Sequence, residues 1–231
     1  MSLYLWINLL SISVPLLVSF DHRIRLIKDG FYLLLSLIVS SIPYLVWDIY
    51  FTHQAYWGFN PRYLSGYYIS NLPLEEVLFF ICIPFSCIFT HIAILKLKRF
   101  RLPKGSSQKI SISIVLLATI LLLFNLQRAY TSWVMLSVIL IQLYAIRYQP
   151  LLLRHYQVTF LFMLIPFLIV NGVLTGFGIP EQVVWYNDQE NFNLRCATIP
   201  FEDFFYAYSM ILLNLVVFKI TSKNKSLVYE D

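Results

Sequence analysis

Long apolar stretches alternate with short polar ones along almost the whole chain. A helix needs roughly 17 to 25 residues to cross a hydrocarbon core of about 30 Å. The pattern therefore predicts an all-α membrane protein with seven transmembrane helices. The fourth is short, and the fifth carries several polar residues, so these two have the weakest signal. The predicted spans lie at residues 3–20, 31–47, 77–95, 110–125, 130–146, 157–173 and 201–220.

Composition supports this interpretation and excludes a soluble globular domain of ordinary type. Of the 231 residues, 59% are hydrophobic and only 13% are charged. Cys82 and Cys87 fall inside a predicted helix, where cysteine behaves as a small apolar residue, and Cys196 is the third cysteine. We therefore expect no disulfide framework.

The net charge of +5 follows the predicted topology. Basic residues concentrate after the first, third and fifth predicted helices and at the end of the chain. By the positive-inside rule, this distribution predicts a multi-pass protein of the cell (inner) membrane, with its N-terminus outside and its C-terminus in the cytoplasm. No nucleic-acid partner is implied. The residues concerned are Arg23, Arg25, Lys28, Lys96, Lys98, Arg99, Arg101, Lys104, Lys109, Arg147, Arg154, Lys219, Lys223 and Lys225.

A short motif occurs twice, 127 residues apart. NLPLEEVLFF begins at Asn71 and TIPFEDFFYA begins at Thr198. Each has a polar residue, an apolar residue, a proline, another apolar residue, two acids and an aromatic-rich continuation. The repetition predicts two parallel three-helix repeats, at 1–98 and 129–231, joined by a connector with the fourth helix at 99–128.

The two motifs place Glu75, Glu76, Glu202 and Asp203 at equivalent helix starts, and Asp48 lies where the second helix reaches the same side. One interpretation is structural, because acids complement the positive end of a helix dipole. The other is functional, because a carboxylate drawn below the membrane interface is costly and marks a pathway or a reaction site. Adjacent helical residues point about 100° apart, so one acid of each pair would face a shared cavity. The sequence leaves open which one.

Aromatic residues are abundant, with 16 Tyr, 19 Phe and 5 Trp. Most of them would face lipid, but ring faces also stabilise cations where water is excluded. An acid beside aromatic walls suits acid-initiated carbocation chemistry on an apolar polyene. No nucleotide-binding motif is present, and none of His22, His53, His91 and His155 has a metal-ligand spacing. We therefore predict neither a cofactor nor a metal.

At these motifs the chain resembles the flavin-independent lycopene cyclases. This membrane family occurs as two small three-helix subunits or as one fused chain. The resemblance covers nearly the whole chain, and a pair of P-x-E-[ED] motifs is more specific than a single one. It rests on VWDIYF, WGFNPRYLSGYYISNLPLEEVLFF, VVWYN, IPFEDFFY and LLNLVVF.

The resemblance implies an intramolecular lyase or isomerase that folds the ψ-ends of lycopene, or of a related linear carotenoid, into ionone rings of the expected β type. It implies Glu75 and Glu202 as preferred acid and base, then Glu76 and Asp203, with Asp48 in support. The second motif has Asp203 where the first has a glutamate, so the two copies are candidates for different tasks.

Two other functions fit parts of the pattern. A small proton-coupled transporter also has repeats and membrane acids, although these acids cluster at helix ends and not at mid-span. A membrane prenyl-transferring enzyme would need a divalent metal and a diphosphate. Besides the carotenoid, the expected partner is the lipid bilayer, and the sequence does not determine an oligomeric state.

Overall fold

The structure is a computed structural model that describes residues 2–98 and 100–222. Arg99, Lys223 and Lys225 contributed to the predicted orientation and lie outside the described residues.

Seven α-helices make up most of the described chain, which confirms the all-helical prediction. Six of them, α2 to α7, are long and apolar enough to cross a membrane. The first has 16 residues, or about 24 Å of helix, and is shorter than a full span. Six of the seven predicted spans are thus confirmed by their length and composition. The helices are α1 (Leu3–Val18), α2 (Gly30–His53), α3 (Leu74–Lys98), α4 (Lys104–Phe124), α5 (Ala129–Tyr148), α6 (Pro150–Leu174) and α7 (Glu202–Thr221).

Most helices extend beyond the apolar stretches that predicted them. α6 begins at Pro150, well before the predicted start at 157, and α4 begins at Lys104 instead of 110. Proline suits a first helical position because its missing N–H would have no partner there. Pro84 lies inside α3, which membrane helices tolerate because neighbouring groups satisfy the freed backbone.

Six very short strands form in the loops at one end of the helix bundle. They form three antiparallel two-stranded sheets, β1 with β4, β2 with β3, and β5 with β6. The sequence did not predict them, because two or three residues are too few to show an alternating pattern. Short 3₁₀ helices occur at Leu26–Asp29 and Pro61–Tyr63. The strands are β1 (Trp57–Phe59), β2 (Tyr68–Ile69), β3 (Leu72–Pro73), β4 (Val184–Tyr186), β5 (Arg195–Cys196) and β6 (Ile199–Pro200).

The β1–β4 sheet joins the loop after α2 to the loop after α6. Asn60 N donates to Val183 O at 2.8 Å, and Asn187 N donates to Tyr56 O at 2.8 Å, which extends the pairing at both ends. The cross-strand partners are Trp57 with Tyr186, Gly58 with Trp185, and Phe59 with Val184.

The helices pack in two similar sets. α1 packs against α3, and α5 packs against α7. In addition, α2 packs against α7, and α6 packs against α3. α4 lies against α5 and α6. Ile88 of α3, Tyr156 of α6 and Leu212 of α7 are fully buried where these helices meet. The matching contacts are consistent with the predicted repeat, and a parallel repeat stays a prediction.

Gly58 allows the two loops to approach closely. A Cβ atom at this position would lie 2.4 Å from the Trp185 ring. We predict that Gly58→Val lowers the free energy of unfolding by about 1–3 kcal/mol, because the ring would have to move. The measurement is thermal unfolding of the purified protein in detergent. Gly105→Ala is the matched control, because nothing lies within 4 Å of its Cβ position. An unchanged midpoint for Gly58→Val would contradict the close approach.

Candidate active site

Two hairpins place the acidic pairs in the first turns of α3 and α7. The β2–β3 hairpin leads directly into α3, and Leu74 N donates to Tyr67 O at 2.9 Å. The β5–β6 hairpin leads into α7 in the same way, and Phe201 N donates to Leu194 O at 2.9 Å. Each proline of the repeated motif lies in the second strand of its hairpin. Both acidic pairs therefore lie at the same end of the molecule.

The first acid of the first pair, Glu75, points into its own loop. Its Oε1 accepts hydrogen bonds from Ser65 N and from Ser2 Oγ, both at 2.6 Å. The residue is fully buried, and Asn8 Nδ2 donates to its backbone carbonyl at 2.8 Å. Glu75 thus ties the loop before α3 and the start of α1 to the first turn of α3.

Glu202 has the same role in the second half. Its Oε1 accepts from Phe192 N at 2.6 Å and from Thr131 Oγ1 at 2.7 Å. Like Ser65 and Glu75, Phe192 and Glu202 are ten residues apart. Neither Glu75 nor Glu202 lines the large cavity between α1, α3, α6 and α7.

A cavity of about 450 Å³ lies between α1, α3, α6 and α7. Three of the predicted acids line it, and they are Asp48, Glu76 and Asp203. Along α3 its lining extends from Glu76 to Thr90, which corresponds to about 21 Å of helix. Trp57, Phe59, Val184 and Tyr186 of the β1–β4 sheet also line it. The acids lie near this sheet, and the rest of the cavity is mostly apolar.

The cavity reaches the outer surface between α1 and α6. Leu10 and Val14 of α1 and Ile169 of α6 line it, and 65%, 63% and 65% of their respective surfaces are exposed. In a bilayer these positions would face lipid. An apolar molecule dissolved in the membrane can therefore reach the cavity without crossing water.

Asp203 is surrounded by hydrogen-bond donors. Its Oδ1 accepts a short hydrogen bond from the Tyr130 hydroxyl. Its Oδ2 accepts from Asn171 Nδ2 at 2.7 Å and from the Tyr186 hydroxyl at 3.1 Å. Three donors favour the ionised form of a carboxylate. Asp203 is thus the carboxyl group of the cavity that is best suited to carry a negative charge.

Tyr186 keeps its role as a donor over a wide pH range. Burial raises the pKa of the Tyr186 phenol well above its usual value, and the nearby Asp203 raises it further. A tyrosine that stays protonated can donate to Asp203 throughout the physiological range.

Glu76 and Asp48 have fewer donors. Glu76 Oε2 accepts from the Tyr4 hydroxyl at 2.6 Å. Asp48 Oδ1 accepts from Trp57 Nε1 at 2.6 Å and from Thr52 Oγ1 at 3.3 Å, whereas its buried Oδ2 has no hydrogen-bond partner in the described chain. Burial without donors disfavours the charged form of a carboxyl. These two groups are therefore better suited to hold a proton than Asp203.

Several residues of the site were missed by the sequence analysis. Tyr4, Tyr130, Tyr186 and Asn171 all donate to the cavity acids, and none of them was predicted. Tyrosines are so common in this chain that no single one is conspicuous. Asn171 gave no such signal either, because the 127-residue offset of the repeated motif pairs Asp48 with Thr175.

Within residues 2–98 and 100–222, no group of three or more histidine, cysteine or carboxylate side chains is placed to hold a metal ion.

Comparison with known proteins identifies the family to which the chain belongs. The family model described as lycopene cyclase matches residues 1–94 and 127–221, which is most of the chain. The chain belongs to the lycopene cyclase family. This lycopene cyclase family member is accordingly an enzyme of carotenoid cyclisation, and its apolar helices associate it with a membrane. The match includes every acid of the cavity and omits all of α4. No curated protein and no solved structure matches the chain.

Glu75 and Glu202 should matter for stability. We predict that Glu75→Ala or Glu202→Ala lowers the free energy of unfolding by about 1–3 kcal/mol, because each removes the buried carboxylate that accepts hydrogen bonds from a loop N–H and from a side-chain hydroxyl. The glutamine variants keep an acceptor oxygen and should cost less. Thermal unfolding in detergent, with limited proteolysis of the loops, measures the difference. Equal stability of the alanine variant and the wild type would contradict this role.

Proposed function

We propose that this member of the lycopene cyclase family converts the ψ-end groups of a linear carotenoid into ionone rings in the acid-lined cavity, without net redox change. The observation that carries the proposal is the meeting of Asp48, Glu76 and Asp203, from three different helices, at one end of an apolar cavity. Burying carboxyl groups in such a place costs free energy, so their presence indicates a functional site. The lateral opening between α1 and α6 suits a substrate that is dissolved in the bilayer.

In the proposed reaction, the Asp48–Glu76 pair supplies the proton. The proton adds to the terminal alkene and leaves a tertiary carbocation. The electrons of the next double bond close a six-membered ring and move the positive charge into it. A ring C–H then loses its proton to a carboxylate, and a double bond forms again. One proton enters and one leaves, so the product is an isomer of the substrate. The carbon that loses the proton determines the ring type, and we expect β.

Asp203 has the complementary role in this proposal. Its three donors favour the ionised form more than the donors of Glu76 and Asp48 do, so in this proposal it stabilises the cation and accepts the proton that leaves the ring. Aromatic walls help, because Trp57, Phe79 and Tyr206 line the same cavity. A ring face stabilises a desolvated cation by about 2 kcal/mol. Glu75 and Glu202, preferred from the resemblance, have loop hydrogen bonds instead, so we assign the chemistry to the second acid of each pair.

We also infer that the two halves are duplicated parallel repeats. Ser65 with Glu75 and Phe192 with Glu202 form the same loop-to-helix hydrogen bond. Tyr4 with Glu76 and Tyr130 with Asp203 form a second matching pair. The family match also falls in two segments of nearly equal length, on either side of α4. This supports the division into 1–98, 99–128 and 129–231, in which α4 returns the chain so that both halves have the same orientation.

The proposed membrane orientation places the acids near the outer surface. Lys96 at the end of α3, Lys104 at the start of α4 and Arg154 in α6 lie at the opposite end of the bundle. By the positive-inside rule this end faces the cytoplasm, with the N-terminus of the chain outside.

The acid assignment is testable by substitution in bacteria that make lycopene. Glu76→Gln, Asp203→Asn and Asp48→Asn should each lower ring formation by at least about 100-fold, because they remove proton transfer while nearly preserving shape. Pigments are extracted and separated by chromatography, and the amount of enzyme is measured by immunoblot of the membrane fraction.

The matched controls are Glu75→Gln and Glu202→Gln, which neighbour the proposed acids. They should retain activity within about tenfold of wild type once the amount of protein is equalised. Normal cyclisation by Glu76→Gln and Asp203→Asn, with loss in the controls, would reverse the assignment. Normal cyclisation in all five variants would contradict a catalytic role for these carboxyls.

The lateral opening gives an independent test. Val14→Trp should slow cyclisation several-fold, because an indole ring is larger than the valine side chain and narrows the opening at some distance from the acids. Leu17→Trp is the control, because Leu17 is also exposed on α1 but does not line the cavity. Initial rates in liposomes that contain lycopene provide the measurement. Equal rates for the two variants would exclude this opening as the substrate route.

A further inference from the structure

A second polar cavity lies at the end of the bundle opposite the acids. It has a volume of about 480 Å³ and is formed where α4 and α6 begin and α5 ends. We call it the basic pocket. Its lining comprises Lys104, Ser107, Gln108 and Ser111 of α4, Ile146 of α5, and Pro150, Leu151, Leu153 and Arg154 of α6.

Two cations lie in the basic pocket, and none of the described residues that line it is acidic. Lys104 is exposed at the first position of α4. Arg154 is partly buried, and its Nε donates to Leu102 O at 2.9 Å. Leu102 N in turn donates to Arg154 O at 2.9 Å. This two-way link fixes the segment before α4 to α6 and keeps the two cations on the same pocket.

Two helix N-termini add to the positive potential. α4 and α6 both begin at the basic pocket, neither has a side-chain cap, and neither has an acid in its first turn. The first N–H groups of a helix lack partners within the helix and carry the positive end of its dipole. The C-terminal end of α5 at the same pocket carries the opposite partial charge, so the preference for an anion comes mainly from the two cationic side chains.

The polar wall also offers a positioned hydroxyl group. Ser111 Oγ accepts a hydrogen bond from Gln157 Nε2 at 2.8 Å. Gln157 also donates to Ser107 O at 3.2 Å and is only 8% exposed, so its position is well defined. Gln157 thus fixes the position of the Ser111 hydroxyl in the wall of the basic pocket.

The remaining wall is apolar, with Ile146, Leu151 and Leu153 beside the polar residues. A soluble anion gains nothing from such a wall, whereas the start of an acyl chain does. We propose that the basic pocket binds the phosphate group of an anionic lipid, with Lys104 and Arg154 on the phosphate and the chains along Ile146 and Leu151. Basic pockets between transmembrane helices have this function in other membrane proteins.

This proposal does not depend on the cyclase mechanism, so its test uses binding and not activity. The purified full-length chain is delipidated in detergent and titrated with phosphatidylglycerol or phosphatidylcholine, and bound lipid is counted by native mass spectrometry. The wild-type protein should bind phosphatidylglycerol more tightly than phosphatidylcholine. Lys104→Gln should weaken that binding by about fivefold, the effect of one basic residue near a lipid phosphate.

Lys109→Gln is the matched control, because it removes the same charge from an exposed site on α4 that does not line the basic pocket. Gln108→Glu is a second test variant, because it adds a negative charge within the pocket, and it should weaken binding at least as much as Lys104→Gln. Equal binding of the two lipids, or equal loss in Lys104→Gln and Lys109→Gln, would overturn the proposal. Stabilisation by inorganic phosphate alone, lost in Lys104→Gln, would identify a free anion and overturn the lipid assignment.

Discussion

A carboxyl group inside an apolar helix bundle must either receive hydrogen bonds or hold a proton, because water does not stabilise its charge there. The acids at the starts of α3 and α7, together with Asp48, are nine-tenths or more buried. Loops, hairpins and neighbouring helices at this end of the molecule supply their donors. Ser65 N and Phe192 N serve Glu75 and Glu202, and tyrosines from α1, α5 and β4 serve the other two motif acids. The loops that contain Ser65 and Phe192 are thus tied to the first turns of α3 and α7.

The two halves satisfy the requirement differently. In the second half, Asn171 donates to Asp203. Near the end of α2 lies Asp48, a second carboxyl that cannot donate unless it is protonated. In the proposed function, this difference separates a proton donor in one half from a proton acceptor in the other.

The other end of the molecule is organised around positive charge. The connector segment and α4 close the bundle there, outside the segments that match the family model. Lys104, Arg154 and two uncapped helix starts surround a pocket without acidic lining in the described chain. The acidic and basic ends lie at opposite ends of the helix bundle. The proposed proton chemistry and the proposed lipid phosphate site are thus separated by the length of the helices.

The sequence by itself determined the membrane class, the helix order and the identity of the five acids. Long apolar stretches and a repeated acidic motif are local patterns, so they can be recognised without knowledge of the fold. It also limited each motif to one acid facing the cavity, since neighbours on a helix diverge by about 100°. Only the tertiary structure decided which acid that is, because the rotation of α3 and α7 depends on hairpins of two-residue strands and on donors from residues such as Tyr4 and Tyr130. Those partners are up to 73 residues away along the chain. Contacts at such separations are set by how helices pack together, and no local pattern records them.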